Sequence, residues 1–334
     1  MDERIDRGRR WLLEAAAMTL AGARLGAIDL APTSTGESRE LAAIGAATQW
    51  INSPPLSAAS LDGKVVLVQF CTYTCINWLR TLPYVRAWAQ KYQQRLVVIG
   101  VHTPEFEFEQ NIDNVRRSMQ QMHVDYPIVI DNDYSIWRAF RNQYWPALYL
   151  LDARARIRHH RFGEGEYQQS ELAVQRLLPA PPPIDGFVVT NGAGVEAPAD
   201  WSNLRSAETY LGFRWAESMA SQRASWPFSG AWTIGRQGAR LSKASGRLES
   251  RFHARDLHLV MGPSKAGHSI RFRVSLDGQP PGAARGFDVD EGGNGVASEQ
   301  RLYQLIRQPG PIVDRRFEIE FLDPGIEAFA FTFG

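Results

Sequence analysis

Cys71 and Cys75 are the two cysteines of this 334-residue chain, and both lie in "FCTYTCINWLRTLPYVRAW", residues 70–88. A thiolate attacks disulfides, so two thiols this close together could do redox chemistry. A redox pair at the head of a helix is usually spaced C-x-x-C, whereas this pair is spaced C-x-x-x-C. With Cys75 as the first cysteine of such a motif, its partner would stand at 78, and Trp78 is there instead. A disulfide needs its Cα atoms within about 7 Å, while four extended residues could span about 13 Å. The chain must therefore curl through Thr72, Tyr73 and Thr74 for the two thiols to bond. The alternative without chemistry is two small, buried, apolar residues.

The elements around the pair favour chemistry at Cys75. "VVLVQF", 65–70, is a β-branched, apolar run suited to a buried parallel strand. After it, Ile76, Leu79, Leu82, Val85 and Trp88 recur at helical spacing, with Pro83 inside the pattern as a kink. Cys75 thus falls where a strand has ended and a helix begins. Unpaired N–H groups and the positive end of the helix dipole favour a thiolate there.

"VVLVQFCTYTCINWLRTLPYVRAW", "LVVIGVHTPEFEF", "DYPIVIDNDYSIWRAF" and "YWPALYLLDARARIRHHRFGEGEY" together resemble the thioredoxin-like redoxin family of the TlpA/ResA and DipZ type, over about residues 50 to 178. The resemblance implies a thioredoxin fold and thiol–disulfide oxidoreductase activity without a cofactor. It places Cys75 at the nucleophile, Trp78 at the resolving cysteine and Cys71 where the related stretch has Trp. It also implies that Pro146 forms a cis bond beside the nucleophile, and that Trp78, Trp145 and Pro146 shape a docking face for the substrate. Because position 78 has no thiol, three outcomes stay open. Cys75 works as a monothiol, Cys71 resolves it, or the fold has kept binding and lost redox chemistry.

Thr72 to Cys75 also spells T-x-x-C, the core of a peroxiredoxin motif, with Arg80 as a possible guanidinium donor. Val68 stands where that motif has proline, which makes a thiol peroxidase the alternative reading. His102, at the end of "RLVVIGVHT", could support the thiolate, since strand C-termini line the crevice of open α/β sheets.

Alternating strands and helices followed by a hairpin predict an α/β domain with a mixed sheet. "PAPPPIDG" is the strongest boundary signal, so residues 179–185 read as a Pro-rich linker. From 186 to 334 short alternating segments recur about every ten residues, predicting an all-β sandwich. "ETYLGFRWAES" and this β-rich remainder resemble the tail of DipZ-like proteins, which implies a jelly-roll-like sandwich likened to carbohydrate-binding modules. Trp201, Trp215, Trp226 and Trp232 could stack on sugars there, so a glycan or protein ligand of the sandwich is an expectation from that analogy.

Arg9–Arg10, the apolar run from Trp11 and the small residues to Ala27 resemble a twin-arginine export signal over residues 1–27, with 28–49 as linker. The expected location is periplasmic, or cytoplasmic without a working signal. No apolar run reaches the ~20 residues of a membrane span. A net charge of +1 argues against nucleic-acid partners and leaves protein or small-molecule thiols and disulfides. No C-x-x-C pair or H-x-x-x-H spacing supports a metal site, and "FDVDEGGNG" reads as a hairpin turn.

Overall fold

The computed structural model describes residues 38–179, 186–215 and 228–334. The export-signal pattern and Trp226 lie outside these residues, as do positions 180–185 of the proline-rich stretch. The chain divides into two compact units, Met1–Thr190 and Asn191–Gly334.

The first unit is built on β2 (Val65–Cys71), whose seven residues are all buried, as the unbroken apolar run predicts. β2 lies parallel to β3 (Leu96–His102), which lies parallel to β4 (Ile128–Ile130). On the other side β2 pairs antiparallel with β5 (Ala147–Leu151), which forms a hairpin with β6 (Ile157–Phe162). The sheet order is β1-β4-β3-β2-β5-β6, with β1 (Trp50–Ile51) only two residues long. This is the mixed-sheet α/β thioredoxin fold expected from the sequence.

One sheet face carries Val66, Val68 and Phe70 against Leu41, Ile44, Leu61, Ile136 and Trp137. These belong to α1 (Arg39–Gly45), α2 (Ala58–Leu61) and, beyond the helix that follows Cys75, α5 (Ser135–Ala139). The helix that follows Cys75, α3 (Ile76–Lys91), runs on through Pro83 and bonds to the opposite sheet face through Gln69. α1 lies inside the stretch read from sequence as linker. It is capped by Ser38 and buries Leu41 and Ile44, but seven residues are too few to show a helical period. The polar run over 107–124 divides at Asn111, whose side chain accepts from the N–H groups of Asp113 and Asn114 and so starts α4 (Ile112–Gln121) afresh. α6 (Tyr167–Leu177) closes the unit. Its buried Glu171 accepts from Tyr92 Oη at 2.7 Å, Lys91 Nζ at 3.0 Å and the Val188 N–H at 2.6 Å.

β6 is an edge strand with none of its residues buried, and it carries Arg158, His159, His160 and Arg161.

The second unit is a pair of antiparallel sheets, the sandwich predicted from turn spacing. One sheet runs in the order Arg301–Arg307, Asp256–Pro263, Ile326–Phe333, Ala239–Leu241, Trp232–Ile234, with Thr209–Tyr210 paired to Ile326–Phe333. The other runs Asn294–Ala297, Ile270–Leu276, Arg315–Phe321, Gly246–Phe252, Phe228–Ser229. Alternate residues such as Leu248, Leu257, Phe272, Phe317 and Phe331 point inward and share one core. Of the sugar-stacking candidates, Trp232 packs on Phe228 and Phe321 and bonds Ser229, whereas Trp201 is 62% exposed. In the "FDVDEGGNG" turn Asp290 accepts from the Asn294 N–H and side chain, and Asp288 is bound to Arg301.

Candidate active site

Cys75 is the N-cap residue of α3, with φ −77° and ψ 111°. The preceding turn is closed by the Cys75 N–H bonded to the Thr72 carbonyl at 3.2 Å, and the helix starts with Leu79 N–H on the Cys75 carbonyl at 3.0 Å. No acidic residue occupies the first turn, so nothing there opposes negative charge at the positive end of the helix. Cys75 is half-buried, and its Sγ donates to the Trp145 carbonyl at 3.7 Å. The Trp145–Pro146 peptide is cis, as the resemblance implies. Trp145 is held in turn by Nε1 donating to the Thr103 carbonyl at 3.0 Å and by packing on Trp137 at 4.2 Å. The nucleophile candidate and the cis-proline loop therefore meet, although 70 residues separate Cys75 from Trp145.

Cys71 ends β2, fully buried, and its Sγ donates to the Val101 carbonyl at 3.4 Å. Burial pushes this thiol well above its ordinary value, and the neighbouring Cys75 and Glu109 add to the rise. Neither cysteine is in a disulfide, and their thiols turn to different carbonyls.

Several sequence expectations need correcting. Trp78 is buried completely and cannot form part of a docking face; its Nε1 donates to Gln69 Oε1 at 3.2 Å beneath the helix. Pro146 is also buried, and its carbonyl accepts from the Gly163 N–H at 2.8 Å, so the half-exposed Trp145 is the surface part of that trio. Arg80 is committed to Glu164 at 3.0 Å in a buried ion pair, because its position on α3 turns it toward the loop after β6. His102 pairs in register with Cys71 and stacks on Tyr73 at 5.7 Å. Burial lowers its imidazole to about 3, so it is neutral and offers no positive charge to a thiolate. Thr72 is fully buried, so its hydroxyl does not face an open pocket. With Thr72 buried and Arg80 paired to Glu164, the T-x-x-C peroxidase arrangement is not assembled.

Three buried polar side chains escaped the sequence reading. Gln69 bonds Trp78, Thr81 and Tyr126 and so ties β2 to α3. Its signal was a lone polar residue in "VVLVQF". Asp131 accepts from the Ile136 and Trp137 N–H groups and from Thr103 Oγ1, capping α5 and fixing the residue that holds Trp145. Glu109, in a 3-10 turn (Glu107–Gln110), accepts from Thr74 Oγ1 at 2.5 Å and from the N–H groups of Glu105 and Phe106 at 2.6 and 2.8 Å. Neither carboxylate carries a sequence signal, since each looks like an ordinary surface acid.

Burial pushes Glu109 up to about 7 and Asp131 up to about 6. Each folded-state value lies above its unfolded one, so between the two the folded protein holds a proton that the unfolded chain has released. The stability this contributes is complete below about pH 4 and is lost as pH rises through about 7, an effect on the order of 2 kcal/mol for Glu109. We expect the urea midpoint to be higher at about pH 5 than at about pH 8, and Glu109→Gln to flatten that slope; an unchanged slope would remove Glu109 as its source.

Among the described residues no group of three His, Cys, Asp or Glu side chains is placed to hold a metal, and no helix is long and apolar enough to cross a membrane.

Comparison with known proteins agrees with this geometry. Residues 214–334 match the thioredoxin-like C-terminal domain family. The chain is 35% identical over 256 residues to protein DipZ of Mycobacterium bovis, which covers 70% of this chain and 36% of DipZ. It is 34% identical over 125 residues to NHL repeat-containing protein 2 of Bos taurus, covering 36% of this chain and 17% of that protein. It is 28% identical over 129 residues to the thiol-disulfide oxidoreductase YkuV of Bacillus subtilis, covering 39% of this chain and 87% of YkuV. The chain thus spans about a third of DipZ, and the part shared with YkuV is of single-domain size. A thioredoxin-like unit with its cis-proline loop against Cys75, followed by a β unit that matches this C-terminal family, supports a likeness of the chain to the thioredoxin-like redoxins of the DipZ type.

Proposed function

We propose that the chain is a thiol–disulfide oxidoreductase in which Cys75 is the nucleophile. The observation that carries this reading is a half-exposed thiol at a helix N-cap, lying against the carbonyl that precedes a cis-proline. The name of YkuV, a thiol-disulfide oxidoreductase, supports it. The Cys75 thiolate attacks one sulfur of a disulfide, forming a mixed disulfide and expelling the other half as a thiolate. Release needs a second thiolate to attack that adduct, which regenerates Cys75 and leaves the substrate joined to the new thiol. Position 78 holds a buried Trp, and Cys71 is buried and turned to Val101, so in this reading the second thiol comes from outside the chain. Resolution by Cys71 would require the 71–75 turn to open. Substrates are proteins or small molecules bearing disulfides and thiols, and no cofactor takes part. The Arg9–Arg10 pattern and the small residues after it support work outside the cytoplasm.

One mass-spectrometric experiment tests both parts. Protein from its native host, trapped with an alkylating reagent, should carry its adducts on Cys75 and begin between Ala23 and Ala31. Adducts on Cys71 would defeat the assignment of the nucleophile, and an intact N-terminus would defeat export.

A further inference from the structure

Thr74 and Cys75 are adjacent, and the Thr74 side chain is the last polar anchor before the thiol. Its hydroxyl donates to Glu109 at 2.5 Å, and Thr74 and Glu109 are both buried. The other oxygen of the same carboxyl accepts from two backbone N–H groups, those of Glu105 and Phe106, in the loop that leaves β3. One carboxyl therefore closes its own loop and reaches across to the turn that presents Cys75. The two loops are also joined by the Thr103 N–H on the Cys71 carbonyl at 3.0 Å, so the Thr74–Glu109 bond is the side-chain half of a two-point attachment. Cys75 makes no side-chain bond to cap its own helix, and its Sγ meets the Trp145 carbonyl instead. The backbone of the turn that aims it there is held by Thr74.

We propose that Glu109 is a positioning residue for Cys75: its carboxyl clamps the loop after β3 onto Thr74 and thereby fixes the turn from which the thiol projects toward Trp145. The claim rests on Cys75 being the reactive thiol. It explains why an acid is retained in a fully buried place where its charge is disfavoured. The titratable groups acting on it and the thiols are Glu105 on its own loop, Cys71 from β2 and Cys75 from the turn. His102 on β3 stacks on Tyr73 of the same turn and is neutral. A carboxyl gripping three donors keeps the turn in one conformation, whereas a released turn lets Cys75 swing away from the helix N-terminus.

Thr74→Val and Thr74→Ser separate a positioning role from mere burial, because Val keeps the shape and Ser keeps the hydroxyl. The readout is the rate of Cys75 alkylation by iodoacetamide near neutral pH, followed by peptide mapping, with the pH midpoint of that reaction measured alongside. Loss of one charge-assisted bond should slow Thr74→Val about tenfold and move its midpoint up, with Thr74→Ser within about twofold of wild type. Thr74→Val combined with Glu109→Gln should be no slower than the slower single variant, since the amide cannot accept from Thr74 and from both N–H groups at once and so opens the same clamp. Wild-type alkylation in Thr74→Val, or effects that multiply in the double variant, would overturn the clamp. Exchange with oxidised glutathione is measured on the same samples. A wild-type protein that is alkylated at Cys75 but never exchanges would defeat the oxidoreductase reading while leaving the test of the clamp intact.

Discussion

Cys75→Ser is expected to lower exchange with a model disulfide by on the order of a thousandfold or more, because the hydroxyl that replaces the thiol cannot form the mixed disulfide. Folding should be untouched, since the residue is half-buried and its bond to the Trp145 carbonyl is a weak one at 3.7 Å. Cys71→Ser should behave in the opposite way. Its hydroxyl can keep the bond to the Val101 carbonyl, so stability should change by about 1 kcal/mol or less. Adduct formation at Cys75 and the lifetime of the adduct should both match wild type if, as proposed, the resolving thiol comes from outside the chain. An adduct that accumulates in Cys71→Ser, measured by intact mass after mixing with oxidised glutathione, would show that Cys71 does resolve Cys75 and that the turn opens during turnover. Residual exchange in Cys75→Ser would move the chemistry to Cys71 altogether.

Trp78→Cys carries the second large effect. It restores the C-x-x-C spelling, but it does so by removing a fully buried indole from under the helix. Truncating a buried aromatic costs about 3–5 kcal/mol. The Gln69 oxygen that accepted the indole N–H loses that partner, which adds about 1 kcal/mol or more. The variant should therefore unfold at a clearly lower urea concentration than wild type when reduced. When oxidised, it should close a 75–78 disulfide and stop accumulating mixed disulfides with glutathione. A reduced variant as stable as wild type would mean that Trp78 is not a packing element, and the departure from the usual spacing would then be a small one. The size of the expected penalty shows why the motif is not one substitution away from ordinary dithiol exchange: the resolving position has become core.

The sheet, the helix after Cys75 and the turn to an all-β second half were legible because they rest on period and run length. "VVLVQF" and "RLVVIGVHT" can only be strands buried on both faces, and the repeated turns beyond Gly186 can hardly be anything but a sandwich. Cys75 was legible because its place at a strand–helix junction is written in the chain. What stayed hidden depends on where a side chain points. Trp78 and Arg80 follow Cys75 closely and were given roles at the surface, yet the helix turns both inward. His102 was placed correctly at a strand end, but its burial, and hence its neutrality, follows from Tyr73 folding over it. Glu109 lay in "EFEFEQ", where alternating acids look solvated, and only the approach of the Thr74 turn takes that carboxyl out of water. α1 was missed because a helix of under two turns has too little period to register.

The two rims of the thioredoxin-like sheet are finished differently. β1 stops after two residues and so offers little main chain to a foreign strand. β6 is longer and wholly unburied, and the charges it sets against an incoming strand are those of Arg158 and Arg161, shared with Asp152 at 3.9 Å and Glu166 at 3.1 Å. That protection is ionic, so it fades with added salt, whose screening length is about 10 Å at 0.1 M and about 3 Å at 1 M. Self-association along this rim should thus be a matter of the medium, suppressed in dilute buffer and encouraged by brine, while the short rim at β1 is indifferent to both.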